Sequence, residues 1–126
     1  MIAILPIFRL TIEGELPDLN TEINSAKRHW AEYRSKKETH TDRVAWLARI
    51  QKVPVFDKPV GFIFNWYCKN LRKDPDNIAF GKKYILDGLK VAGRIKNDSL
   101  KEVVSFQDYF HLDRLNPRVE VEIREI

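Results

Sequence analysis

Asp74 and Asp76 flank Pro75, and this spacing is the first place in the chain where chemistry can be read. Proline fixes its own φ and pushes the preceding residue into an extended conformation, so the two aspartate side chains are expected to point the same way. Two carboxylates on one side of a strand end can hold a hard divalent cation through oxygen ligands, and magnesium or manganese suits such donors best. The plainer alternative is that Asp74-Pro75-Asp76-Asn77 is a turn whose last members cap a helix at Ile78. Asp98 is a third candidate: a helix running back along the sheet would return it towards Asp76, and otherwise it is a turn aspartate. Lys83 lies seven residues after Asp76, about two helical turns, so it shares a polar face with Asp76, Asp87 and Lys90, whereas Lys82 falls nearer the apolar stripe. Three carboxylates and one lysine around a metal form a minimal set for phosphodiester hydrolysis, in which cations activate water and an ammonium assists the leaving or equatorial oxygens. A lysine on a helix is otherwise a solvated charge.

The remaining reactive residue types offer less. His29, His40 and His111 have no mutual metal spacing and read as surface or partly buried side chains. A glycine-rich phosphate loop is absent from the sequence, and no Ser or Cys sits in a recognisable nucleophile elbow, so nucleotide-driven and acyl-transfer chemistries lack support. Trp66 and Tyr67 beside Lys69 and Arg72 are candidates for stacking on bases, although strand aromatics are more often core, as expected for Trp66.

The elements that must position these residues follow from hydrophobic periodicity. Phe8, Leu10 and Ile12 alternate with polar residues as in a half-buried first strand, closed by Glu13-Gly14-Glu15. From Thr21 the apolar residues Ile23, Ala26, Trp30 and Tyr33, then Val44, Leu47 and Ile50, recur at helical spacing. The polar insert Ser35 to Arg43, with Thr39 or Thr41 as a cap, leaves one helix or two open. Val60, Phe62, Phe64 and Trp66 predict a central second strand, and Ile78, Ile85, Leu89 and Ala92 a second helix ended by Gly93. A third strand is expected over Leu100 to Phe106 and a fourth around Val119, Val121 and Ile123. The order is β-α-β-α-β-β: a single small α/β (α+β) domain over residues 1–126, with a mixed four-stranded sheet and two main helices.

The chain has 126 residues, 44% hydrophobic and 32% charged, a globular composition that excludes disordered and collagen-like classes. Its longest apolar stretch, Gly61 to Cys68, is far short of the roughly 18 to 20 residues a membrane span needs. The apolar start, Met1 to Phe8, makes a poor signal peptide because no basic residue precedes it and Pro6 interrupts it. A single cysteine, Cys68, excludes an intrachain disulfide and favours a reducing cytoplasmic setting. The net charge of +4 is unevenly spread: residues 26–52 and 69–101 carry +5 each, while residues 1–25 and 102–126 carry −3 each. Such segregation is the footprint expected of a polyanion-binding surface.

Taken together, Phe64-Asn65-Trp66-Tyr67 followed by a basic run, Asp74-Pro75-Asp76-Asn77, Lys83, Leu86-Asp87-Gly88-Leu89, Ala92-Gly93, Asn97-Asp98 and Asn116-Pro117-Arg118-Val119-Glu120-Val121 resemble the RusA family of Holliday junction resolvases, in the forms carried by phages and prophages. The resemblance covers nearly the whole chain, more loosely in its N-terminal half. It implies a small homodimer that binds four-way DNA junctions and nicks two strands symmetrically with magnesium or manganese, with no small-molecule cofactor and no membrane. It places the family's acidic cluster on Asp74, Asp76 and Asp98 and its catalytic lysine on Lys83. The segment from Asn77 to Lys83 is longer than in the founding member, so alignment leaves Lys82 as an alternative, and the helical-face argument selects Lys83. Arg28, Arg34, Lys36, Lys37, Lys69, Arg72 and Lys73 are expected, from charge, to hold junction phosphates. The rival readings are a non-catalytic nucleic-acid-binding dimer and a broader nuclease acting on flaps or other branched DNA.

Overall fold

The structure, a computed structural model, describes residues 6–21, 23 and 30–126. Strand β1 (Ile7–Glu13) is followed by helix α1 (Trp30–Ile50) and strand β2 (Val60–Cys68). A short helix α2 (Pro75–Ala79), helix α3 (Lys82–Val91), and strands β3 (Val103–Leu112) and β4 (Arg118–Glu125) complete the described elements. The four strands form one mixed sheet in the order β1-β4-β2-β3. The last strand in sequence is therefore inserted between the first two, antiparallel to both, while β3 joins the outer side of β2 in parallel. This is the expected small α+β architecture with β2 central.

Alternation decides which face is dry. Leu10 and Ile12, Phe62, Phe64 and Trp66, and Val119, Val121 and Ile123 are all buried, and they form one core with Val44 and Ala48 of α1 and Tyr84, Ile85 and Leu89 of α3. Each such side chain contributes roughly 1.5–3 kcal/mol relative to leaving it exposed. The intervening residues Arg9, Thr11, Asn65, Tyr67, Glu120 and Glu122 belong to the opposite, helix-free face. Helices α1 and α3 cross closely because Gly88 has no side chain: a Cβ there would lie 2.5 Å from Val44 Cγ1 and 3.0 Å from the Thr41 carbonyl oxygen.

Across the polar insert, where the sequence leaves one helix or two open, helix α1 runs unbroken with Thr41 buried inside it. Two expectations are corrected. The single helix expected from Ile78 to Ala92 is two, divided at Phe80 and Gly81, where the N–H groups of Gly81, Lys83 and Tyr84 donate to the carbonyls three residues back, of Ile78, Phe80 and Gly81, instead of four. Helix α3 does end at Gly93, whose φ of +70° is the left-handed C-terminal stop that glycine adopts without penalty. Strand β3 begins at Val103 and runs to Leu112, past the expected end at Phe106, because its register is set by pairing along the full length of β2. Among the described residues no helix is long and apolar enough to cross a membrane.

Candidate nucleic-acid interface and carboxylate turn

The loop leaving the C-terminal end of β2, Lys69 to Lys73, is exposed and leads directly into the carboxylates. Asp74 occupies the N-cap of α2 in extended conformation (φ −76°, ψ 148°), and Pro75 fills the first helical position, where its missing N–H is no loss. Asp76 lies in the first helical turn, so the two aspartates do not share a continuous extended backbone as expected. Helix geometry, not strand alternation, sets their relation. Asp74 makes no side-chain cap bond, and Asp76 Oδ1 accepts the Asn77 N–H at 3.0 Å. Both are exposed, and among the described residues neither is in an ion pair.

Asp98 lies elsewhere. It pairs with Lys90 Nζ at 3.3 Å, and Lys90 in turn lies 3.6 Å from Asp87, so Asp98 is tied to the C-terminal half of α3. Lys83, 47% exposed, pairs with Asp87 one turn on at 3.3 Å, giving the expected Lys83–Asp87–Lys90 face without Asp76. Among the described residues no three His, Cys, Asp or Glu side chains stand together as a metal-holding group. The three-carboxylate set therefore does not assemble within one described chain. Asp74 and Asp76 are each a donor of the type a magnesium-type ion accepts, since such an ion keeps several waters and takes one or two carboxylates plus phosphate oxygens.

Lys82 is the residue whose environment the sequence did not announce. Its ammonium donates to Asp108 Oδ2 at 2.8 Å and lies over the rings of Phe106 (4.4 Å) and Phe64 (5.2 Å), while Trp66 Nε1 donates to Asp108 Oδ1 at 2.9 Å. This half-buried cluster fastens the start of α3 to β3. The apolar-stripe position of Lys82 was the available signal; its partner was hidden in a strand whose register sequence does not reveal.

The predicted phosphate-binding residues divide by their partners. Arg28 lies outside the described residues, and Lys36 and Lys37 fall on α1. Arg34 is paired with Glu38 on the same helix at 3.3 Å, and Lys69 lies 3.6 Å from Glu15. Lys73 is committed to Asp18 at 2.9 Å. Burial alone would raise the Asp18 carboxyl, but the hydrogen bonds from Lys73 and Thr21 outweigh it and hold it below its ordinary value. The bond to Asp18 likewise raises Lys73 above the ordinary lysine value. Among the described residues Arg72 has no acidic partner, and it is its backbone N–H that donates to Asn70 Oδ1 at 3.0 Å. It is the cation in this loop most available to a phosphate.

No protein-family model and no curated protein sequence matches this chain.

Proposed function

We propose that this chain is a metal-dependent, structure-specific endodeoxyribonuclease that resolves four-way DNA junctions by paired symmetric nicks. The observation that carries the reading is the turn after β2, where an exposed basic loop runs straight into two exposed carboxylates that have no ion-pair partner among the described residues. The turn follows the C-terminal end of β2, and β3, its parallel neighbour, ends on the same side of the sheet. The resemblance to RusA resolvases supports the same residues. In this reading Arg72 and Lys69 hold backbone phosphates and set register without reading sequence. Asp74 and Asp76 hold magnesium or manganese, which when bound activates water and neutralises charge on the scissile phosphate. Lys83 presents an ammonium to the leaving or equatorial oxygens, and Asp98 keeps Lys90 in place rather than joining the carboxylate pair.

The test is cleavage of an immobile four-way junction, with duplex, flap and single-stranded controls, in magnesium and in chelator. Junction-selective cuts that vanish in chelator are expected. Asp74→Asn or Asp76→Asn abolishes cutting while junction binding persists, and Asp98→Asn has the smaller effect. Full activity in chelator overturns the metal assignment, and equal cutting of flaps and junctions converts the reading to a broader branched-DNA nuclease.

A further inference from the structure

On the helix-free face of the sheet, three planar groups from three adjacent strands form one column. His111 of β3, Tyr67 of β2 and Arg118 of β4 are direct register partners. The His111 and Tyr67 rings stack with centroids 4.6 Å apart and planes inclined by 22°, and the Arg118 guanidinium lies 3.8 Å from the centre of the Tyr67 ring on that same face. Each end member is pinned. Arg118 donates to Asp113 Oδ2 at 2.9 Å and to Glu120 Oε1 at 3.0 Å, and His111 Nε2 donates to Asn65 Oδ1 at 2.9 Å. Neighbours on both adjacent strands therefore engage Tyr67. At one end Arg118 faces Glu13 across β1, which offers no ring.

The other end is open. Strand β3 is an edge of the sheet, so among the described residues no strand lies beyond His111, and its side chain is exposed. The opposite edge is treated differently: the Gln51 side chain accepts the Thr11 N–H at 2.8 Å and donates to the Thr11 carbonyl at 2.7 Å, occupying the free edge of β1 as a strand would. His111 also shares a groove with the loop that leads into the carboxylate turn. Because β2 and β3 are parallel, both end on the same side of the sheet, and Asn70, Leu71, Lys73, Pro75, His111 and Leu112 line one groove. A strand whose phosphates sit on the basic loop would present its bases to this edge.

We propose that an unpaired DNA base stacks on the outer face of His111 as the fourth member of the column, with Tyr109, half-exposed on the same face of β3, as a second ring for the neighbouring base. Stacking on aromatic faces is tolerant of base identity, which suits an enzyme that reads shape. The proposal rests on the DNA-binding part of the functional reading and not on its chemistry.

The experiment places a single 2-aminopurine at the branch point of an immobile four-way junction, and separately in a single-stranded oligonucleotide, both titrated in chelator so that nothing is cut. Wild-type protein is expected to quench the fluorescence. His111→Ala should lose the quenching and weaken single-strand binding by about 5- to 100-fold, while His111→Phe, which keeps a ring but lacks the bond to Asn65, should retain both. Unchanged quenching in His111→Ala overturns the proposal. So does a His111→Ala defect confined to self-association, which would assign this edge to a second copy of the chain. A protein that cuts junctions without His111-dependent quenching fails here alone, and one that quenches but never cuts leaves this site standing while the nuclease reading falls.

Discussion

Lys82 and Lys83 are adjacent in sequence and opposite in circumstance. Lys82 is held by Asp108 and two aromatic rings with its side chain 18% exposed; Lys83 reaches only its own helix neighbour Asp87. Removing Lys82 leaves Asp108 with Trp66 as its remaining partner in a half-dry setting, and Lys82→Ala is expected to cost about 1–3 kcal/mol, visible in a thermal melt. Lys83→Ala should leave the melt within about 0.5 kcal/mol and remove junction cleavage; the reverse pattern would move the catalytic role to Lys82, the alternative. The helical-face argument distinguished the two from sequence because 3.6-residue periodicity is local. It did not reveal why Lys82 tolerates burial, since Asp108 sits 26 residues away.

The loop cations carry a second prediction at this scale. Arg72→Ala should weaken binding to all DNA forms and lower the salt slope by about 0.9, the contribution of one phosphate contact. Lys73→Ala should instead act on stability. Asp18 is held below its ordinary value, so its contribution is present above about pH 3.8 and is lost as pH falls through the folded value. Lys73 is raised, so its share is present below about pH 10.5 and is lost as pH rises through its folded value. Near neutrality both are intact. Asp18→Asn should then lower stability by about 1 kcal/mol at pH 7 and by much less at pH 2. An equal loss at both pH values would show that the pair is not what stabilises this loop.

At the scale of elements, the weak point is the α1–α3 crossing. Alanine at position 88 would improve helix propensity by about 1 kcal/mol, but its Cβ would strike Val44 and the α1 backbone at Thr41. Overpacking of this kind costs about 1–3 kcal/mol, so Gly88→Ala is expected to be net destabilising in urea titration. A neutral or stabilised variant would mean that the helices separate freely. Elements with a one-sided burial pattern were legible beforehand: β2 through Phe62, Phe64 and Trp66, and the end of α3 through Gly93. The break between α2 and α3 was not, because the apolar spacing continues across it and only a tightening of the backbone hydrogen bonds around Phe80 and Gly81 separates the two helices. Nor was the extent of β3, whose residues after Val103 are almost all exposed and whose aspartate at position 108 interrupts the apolar alternation. The column on His111 escaped for a related reason, since it exists only through the cross-strand register of three strands remote in sequence.

At the scale of the whole molecule, the described residues supply one carboxylate turn, at one end of one sheet. Resolving a four-way junction into two ligatable duplexes requires cuts in two strands related by the junction's own two-fold symmetry, so the proposed function requires two such turns facing one substrate. Among the described residues there is no second such turn, and the economical source is a second copy related by a two-fold axis. Within that dimer each chain would hold its own cation on Asp74 and Asp76 and its own strand on the Lys69–Lys73 loop, so the two cuts are chemically independent once the junction is bound. Heterodimers of wild-type and Asp76→Asn chains should therefore nick one strand of a supercoiled cruciform and leave the plasmid circular, whereas wild-type dimers linearise it. Linear product at wild-type yield from verified heterodimers, or full activity in a species that sediments as a monomer, would separate the carboxylate turn from the paired-cut mechanism.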